Sequence, residues 1–556
     1  MLRQFTPALW LAFLFCRLMN THELPPQSAT DHTVDISSDG QRVEPAVSQA
    51  MHTWLWRPNL IVFLSSACIM IIELVAGRMI APYVGVSLYT WTSVIGVVLA
   101  GISAGNFLGG EIADRKASVP LLGGIFILAG LASLSILLTI NLLGGHLPGA
   151  WPIVLEILVL TSAVFFVPSA ILGAISPIVV KLAVRDLAET GSTVGRIYAS
   201  SAVGSIAGTF ATGFVLIAWF GTHRIVWGVS VILLMLGLLL TVGNHRRLLI
   251  VPAALIAAGS AILWHQPWAW GPCLRETNYF CIKVYEEERD GKPVRVLVLD
   301  RLVHSYTSLD DPTRLVYGYE KMYAELTAYK ARQRENLKAL FIGGGGYTFP
   351  KYMEAVYPKS QLDVIEIDPG VTRVAYDLLG LDPNTRIVTY NEDARLFLKN
   401  SPTEQYDLIL GDAFNDYSVP YHLTTKGFND LVKAWLAHDG LYAVNMIDGP
   451  SGEFLRAYIY TLRQTFDYVY VAPTFAGWRA SPRSTFVLVA TDAPVNLAAL
   501  ADIDGGDGDP LFARQALTEP EIDELLSEGR VVTLTDQYAP VDQMLASVFR
   551  DEVPPR

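Results

Sequence analysis

Charge is scarce in this sequence, and metal-ligand patterns are missing from it. Only 17% of the 556 residues are Asp, Glu, Lys or Arg, against 51% hydrophobic, where soluble domains carry about 25% charged residues. The mean hydropathy of +0.35 agrees. The four cysteines, Cys16, Cys68, Cys273 and Cys281, form no CxxC and join no Cys/His cluster. That excludes the common structural zinc patterns, and no metal is expected. Basic residues are outnumbered, 41 to 53, for a net charge of −12. A nucleic-acid partner would want a basic face, so none is expected. An acidic surface favours cationic small molecules only weakly. The glycine run at 343–346 is not GxGxxG, and no GK[ST] follows it. Both facts speak against a dinucleotide or a nucleoside triphosphate.

The apolar excess is not spread evenly. It lies between about Asn59 and Trp264, in runs long enough to cross a bilayer, starting near Asn59, Leu88, Val119, Ala150, Gly195, Arg224 and Arg247. That count is seven, or eight if Pro168 and Pro177 split the long fourth run into a helix and a half-helix. The first residues, MLRQFTPALWLAFLFCRLM, read as a signal-type segment or a marginal anchor. The polar stretch Asn20 to Ala50 reads as disordered linker. Gly101, Gly105 and Gly109 share one helix face, as do Gly204 and Gly208. Such faces let membrane helices approach closely, within the bundle in preference to a homodimer, which stays open. Glu73 and Arg78 fall in or at the end of the first span, where an ionisable group marks either function or an intrabundle ion pair. Glu156 and Lys181 raise the same question.

From Glu276 the pattern changes to strands. TNYFCIKVYE and VRVLVLD flank an Asp-Gly turn, which signals a hairpin. A helix is expected over Thr313 to Lys330. Then LKALFI, LDVIEID, RIVTY and YDLILGD alternate with helical stretches, which predicts a doubly wound, mostly parallel sheet. Ligands of such sheets sit beyond the carboxyl ends of the strands. There the sequence places Gly343 to Gly346, then Glu366, then Asp393 with Ala394, then Asp412. Glu366 stands twenty positions after Gly346, a separation at which an acid commonly binds ribose hydroxyls. Together these residues predict a nucleoside site.

The motifs IGGGG, VIEID, EDA and YDLILGDAF, with the hairpin before them and LTDQYAPVD near the end, resemble the spermidine synthase (polyamine aminopropyltransferase) family. The likeness runs from about Glu276 to Asp448. ELVAGRMIAPYVG resembles the integral-membrane branch, in which this domain is fused to a helical bundle. The resemblance implies a multi-pass α-helical membrane domain and a Rossmann-like α/β domain with a small β region before it. It also implies a substrate, S-adenosylmethionine or its decarboxylated form, with no other cofactor. By position, Gly343, Gly344 and Gly345 would approach that ligand, with Gly346 completing the loop. Glu366 would meet the ribose, Asp393 and Ala394 the adenine, and Asp412 would be the catalytic carboxylate, with Tyr319 a further retained catalytic position. Tyr347, Tyr417 and Tyr421 offer aromatic faces for a sulfonium cation.

This sequence departs from the family on the amine side. Gly346 stands where relatives carry an aspartate facing the aminopropyl amine. DAFND, with Asn415 and Asp416, replaces DSSDP. His304 stands for a glutamine and Glu325 for a histidine. Three functions therefore stay open: aminopropyl transfer to an amine, cyclase or lyase breakdown of S-adenosylmethionine without an external acceptor, and polyamine transport or sensing by the bundle. The implied organisation is a signal-like segment and linker (1–55), a membrane bundle of about seven spans (56–266), a β region with a helix (267–335), a catalytic nucleoside-binding domain (336–495) and a C-terminal extension (496–556). A multi-pass inner-membrane location is expected. Ligand supply argues for a cytoplasmic catalytic domain, whereas basic loops at Arg115–Lys116, Lys181–Arg196 and Arg246–Arg247 argue for the opposite face. Cys273 and Cys281 would pair in an oxidising compartment and otherwise remain free thiols.

Overall fold

The computed structural model describes residues 46–146, 151, 153–184, 186, 189–242, 259, 271–413, 419–503, 512–546 and 548. The chain divides into two compact units, Met1–Trp54 and Leu55–Arg556, and the second holds the helical bundle and both sheets. The N-terminal signal-like segment, the run expected as a seventh span from Arg247, and Asn415, Asp416 and Tyr417 lie outside the described residues. Residues 46–50, expected as linker, are helical.

Six helices among the described residues are long and apolar enough to cross a bilayer. They are Pro58–Val84, Leu88–Lys116, Val119–Leu143, Val154–Ala183, Thr190–Phe220 and Thr222–Thr241, here spans 1 to 6. The shortest has 20 residues, which meets the ~20 needed for about 30 Å of hydrocarbon. Phe107, Leu131 and Leu142 point outward and are more than half exposed, which would be a liability in water and suits a lipid face. The inward faces bury Ile72, Val75, Phe126, Ile136, Phe165 and Ile175 in one apolar core.

The small residues serve this packing. A Cβ on Gly105 would lie 1.9 Å from the Ala170 carbonyl oxygen of span 4, and one on Gly204 would lie 2.2 Å from that of Phe63 in span 1. Both glycine faces are therefore used inside the bundle. Span 4 is one interrupted helix and not a helix plus a half-helix. A π-turn at Ser162–Phe166 precedes Pro168, and a second break at Ala174 precedes Pro177. These local changes absorb the missing proline N–H groups without ending the span.

After the bundle come two sheets. Strands β1 (Arg275–Glu276), β2 (Cys281–Arg289), β3 (Lys292–Leu299) and β4 (Leu302–Thr307) form an antiparallel sheet in sequence order. Asp290 and Gly291 turn between β2 and β3 with φ of 51° and 70°, the left-handed values such a two-residue hairpin demands. Helix α1 (Gly318–Ala331), shorter at its start than the sequence suggested, leads into the large sheet. Its strands are β5 (Lys338–Ile342), β6 (Gln361–Ile365), β7 (Val388–Tyr390), β8 (Tyr406–Gly411), β9 (Leu436–Asp448), β10 (Tyr468–Pro473) and β11 (Ser484–Thr491). Their order is β10-β11-β9-β8-β5-β6-β7. β5 to β9 run parallel, and β11 joins antiparallel to both β9 and β10. Helices α2 (Thr348–Val356), α3 (Pro369–Leu378), α4 (Ala394–Leu398), α5 (Lys426–Trp435) and α6 (Glu453–Leu462) cover its faces.

Buried strands read as continuous apolar runs because both faces are covered. Thus Ala339, Leu340, Phe341 and Ile342 of β5 are each at most 3% exposed. The stretch after residue 496 shares this core, since Ile522, Leu534, Val541 and Leu545 pack with β8 and β9. The order reverses between β5 and β8, which makes their carboxyl ends the switch point where such sheets bind ligands.

Candidate active site

A cleft of about 260 Å³ opens at that switch point, and Gly343, Gly345, Glu366, Asp393, Ala394 and Asp412 all line it. His304 reaches it from β4, and Tyr279 and Phe280 close it from the loop before β2. The acids foreseen at successive strand ends therefore meet in one place.

Asp412 follows β8. Its Oδ2 accepts from the Tyr319 hydroxyl of α1 at 2.8 Å, and its Oδ1 accepts from Asn445 Nδ2 of β9 at 2.8 Å. Burial raises the carboxyl's pKa above the usual range, and these two donors oppose the rise. Each oxygen keeps a lone-pair site, so a further donor can approach a carboxylate already held in one orientation. Asn445 was not anticipated, although a buried amide within the apolar strand GLYAVNMI is itself a signal that something polar faces it.

Glu366 follows β6 and is 6% exposed. Its Oε2 accepts from Gly344 N at 2.9 Å and Gly345 N at 3.1 Å, while Oε1 accepts from Asp368 N at 2.9 Å. Burial pushes its pKa up and the three N–H donors pull it back. The acid thus braces the glycine loop as well as facing the cleft.

The glycines differ in what they permit. Gly343 has φ of 101°, and a Cβ there would lie 2.3 Å from the Asp412 carbonyl oxygen. The left-handed backbone and the close approach both require glycine. Around a Cβ on Gly345 there is open space, on the cleft side. Gly346 is sealed: a Cβ there would meet Ser305 Oγ of β4 at 2.0 Å and Thr307 Oγ1 at 3.0 Å. An aspartate where relatives are expected to have one would need the Ser305 side chain to give way.

Asp393 caps α4 by accepting from Leu396 N at 3.0 Å, and its Oδ2 lies 3.1 Å from His422 Nε2. His422 lines the same cleft and was not foreseen. His304 Nε2 is buried without a hydrogen-bond partner. Burial lowers its pKa to about 4, which leaves the imidazole neutral near pH 7. A polar atom orphaned inside a cleft fits a polar ligand better than an apolar one.

Of the expected residues, Gly344, Gly346 and Tyr319 stand behind the lining of the cleft, and Tyr347 and Glu325 point elsewhere. Tyr347 is fully buried, with its hydroxyl 3.1 Å from both Thr372 Oγ1 and Thr389 Oγ1. Its left-handed backbone, φ 55°, turns the ring under the sheet edge, away from any cation in the cleft. Glu325 is buried on α1, where its carboxylate accepts from Phe512 N. It secures the C-terminal segment and does not line the cleft. Tyr421 is exposed on the rim side, edge-on to His422. Cys273 and Cys281 are disulfide-bonded, with Cα atoms 5.3 Å apart.

No family model matches the chain. A polyamine aminopropyltransferase of Vibrio vulnificus is 34% identical over 110 residues, 19% of this chain and 37% of that protein. Polyamine aminopropyltransferase 2 of Streptomyces coelicolor is 23% identical over 413 residues, 69% of this chain and 72% of that one. The alignment to the Vibrio protein thus spans little more than a third of its length. A solved probable spermidine synthase from Corynebacterium glutamicum is 19% identical with a TM-score of 0.41, covering 47% of this chain and 95% of that one. Over about two thirds of its length the chain is homologous to the spermidine synthase-like (polyamine aminopropyltransferase) proteins.

Proposed function

We propose that this protein is a membrane-bound enzyme that binds S-adenosylmethionine or its decarboxylated form and releases methylthioadenosine, in a reaction most like aminopropyl transfer from the decarboxylated form to an amine. The observation that carries this reading is the Asp412 carboxylate, held by Tyr319 and Asn445 in a cleft that Glu366 also lines. The amine nitrogen attacks the carbon beside the sulfonium. A C–N bond forms, the C–S bond breaks, and its electron pair leaves sulfur neutral as the thioether. Asp412 takes the proton that the amine must lose, as a general base. Glu366 accepts from ribose hydroxyls and His304 Nε2 offers a neutral polar contact. Asp412→Asn should abolish methylthioadenosine formation while nucleoside binding survives; retained turnover would remove Asp412 from the mechanism.

A second reading draws on Gly346. With no carboxylate at that position, nothing there repels the α-carboxylate of intact S-adenosylmethionine. The substrate's own groups could then supply the base or nucleophile, giving cyclase or lyase chemistry with the same thioether product. Products formed with and without added diamines separate the two.

We also propose that the catalytic domain lies on the non-cytoplasmic side. Span 1 meets the domain through Arg78, in its C-terminal part, and span 6 meets it at Thr222. Alternating spans put Lys116, Ala183 and Thr190 at the other end, with the basic loops. A closed disulfide agrees with an oxidising compartment. A C-terminal reporter active only in the cytoplasm would overturn this.

A further inference from the structure

The loop from Cys273 to Cys281 is the outer lip of the nucleoside cleft, and it is fastened from three directions. Its ends are joined by the disulfide. On the sheet side, Thr277 Oγ1 donates to Asp368 Oδ2 at 2.5 Å, and Asp368 N donates to Glu366 Oε1 at 2.9 Å. The third fastening comes from the bundle. Arg78, near the end of span 1, donates to the carbonyl oxygens of Thr277 at 2.6 Å, Asn278 at 3.0 Å and Tyr279 at 2.6 Å. One guanidinium thus holds three consecutive carbonyls, and the last of these residues, Tyr279, walls the cleft together with the next, Phe280.

We infer that Arg78 is a positioning residue for the nucleoside site, so that the helical bundle completes the binding pocket and is more than an anchor. This rests on the proposed nucleoside-binding function. A planar fork of five donors fits this task, because it can reach several acceptors at once from a fixed plane. Three adjacent carbonyls have no partners in a sheet here; Asn278 and Tyr279 are exposed, so the fork fixes the position of the loop more than it satisfies buried carbonyls. Removing the fork frees the 277–279 backbone to move outward, and with it the Tyr279 and Phe280 rings. The bundle and the acid that braces the glycine loop are then linked by a continuous chain of contacts: Arg78, Thr277, Asp368, Glu366.

The test uses the full chain in lipid nanodiscs, as wild type, Arg78→Ala, Arg78→Lys and Thr277→Val. Thr277→Val loosens the same lip from the sheet side and leaves the bundle untouched. Two quantities are read: amide hydrogen exchange over residues 277–281 without ligand, and calorimetric affinity for S-adenosylmethionine and its decarboxylated form. Misplacement of a binding wall by about 1 Å can cost orders of magnitude, so Arg78→Ala should weaken binding at least ~10-fold and raise KM more than it lowers kcat. Exchange over 277–281 should rise, and Arg78→Lys should recover part of both, since an ammonium replaces one arm of the fork. Unchanged exchange and affinity in a folded Arg78→Ala protein would overturn the inference. If that protein does not fold, unchanged exchange and affinity in Thr277→Val overturn it instead. If wild type binds neither nucleoside while Arg78→Ala still loosens 277–281, the proposed function fails and the clamp stands.

Discussion

Tyr319→Phe removes one oxygen and keeps the ring. The ring lies 5.3 Å from that of Tyr317 and 5.6 Å from that of Tyr323, so phenylalanine preserves the packing, and volume-conserving swaps usually cost under about 1.5 kcal/mol. What is lost is the 2.8 Å hydrogen bond to Asp412 Oδ2. That bond favours the ionised carboxyl over the protonated one, and it is among the forces opposing burial at this group. A hydrogen bond to a charged acceptor contributes ~1.5–3 kcal/mol, on the order of 10- to 100-fold in a rate. The sign follows from which form works. A general base must be deprotonated, so kcat/KM rises with pH through the Asp412 pKa, already displaced upward by burial. Without Tyr319 that limb moves to still higher pH. Below the limb the variant should lose most of the 10- to 100-fold; above it, where Asp412 is ionised either way, the deficit should shrink. The assay is a pH profile of methylthioadenosine release for both proteins. An equal loss at every pH would refute the reasoning and leave Tyr319 with a purely structural role.

Other outcomes follow from the same geometry. Gly346→Ala forces a Cβ against Ser305 Oγ, 2.0 Å away, and should cost ~1–3 kcal/mol by overpacking, read as a lower Tm. Combining it with Ser305→Gly should restore much of that loss, and no restoration would mean the crowding lies elsewhere. In protein denatured without reductant, an alkylating reagent should label Cys68 and spare Cys273 and Cys281, because the latter two are bonded. Replacing both bonded cysteines with serine should lower stability by ~2–3 kcal/mol, the loop-closure cost for so short a ring. Labelling of Cys273 and Cys281 would remove the disulfide and the topology argument built on it.

The sheet was legible because its strands are short buried apolar runs ending in chemistry-bearing residues. Glu366, Asp393 and Asp412 could be placed at successive strand ends before any geometry was known. Legibility stopped where side-chain direction matters. Tyr347 follows the glycine run and reads as a cleft residue, yet its left-handed backbone turns it into the core. Glu325 lies on the same helix as Tyr319, but helical rotation sends it toward Phe512. Asn445, His422 and the loop with Tyr279 and Phe280 come from segments far from the glycine motif, and only the tertiary fold brings them to it. The same holds for Arg78: within an apolar span it reads as a costly charge, and its three carbonyl partners lie about 200 positions away. Gly346 gained the most from geometry. Sequence marks it as a missing aspartate, whereas the structure shows β4 occupying the space that side chain would need.

The most direct test of the central claim is mass spectrometry of reactions with purified full-length protein. Each reaction would contain S-adenosylmethionine or its decarboxylated form, with and without a panel of diamines. The account predicts methylthioadenosine as the nucleoside product from at least one of them, and its loss with Asp412→Asn. Recovery of both nucleosides unchanged, or S-adenosylhomocysteine as the sole nucleoside product, would contradict it.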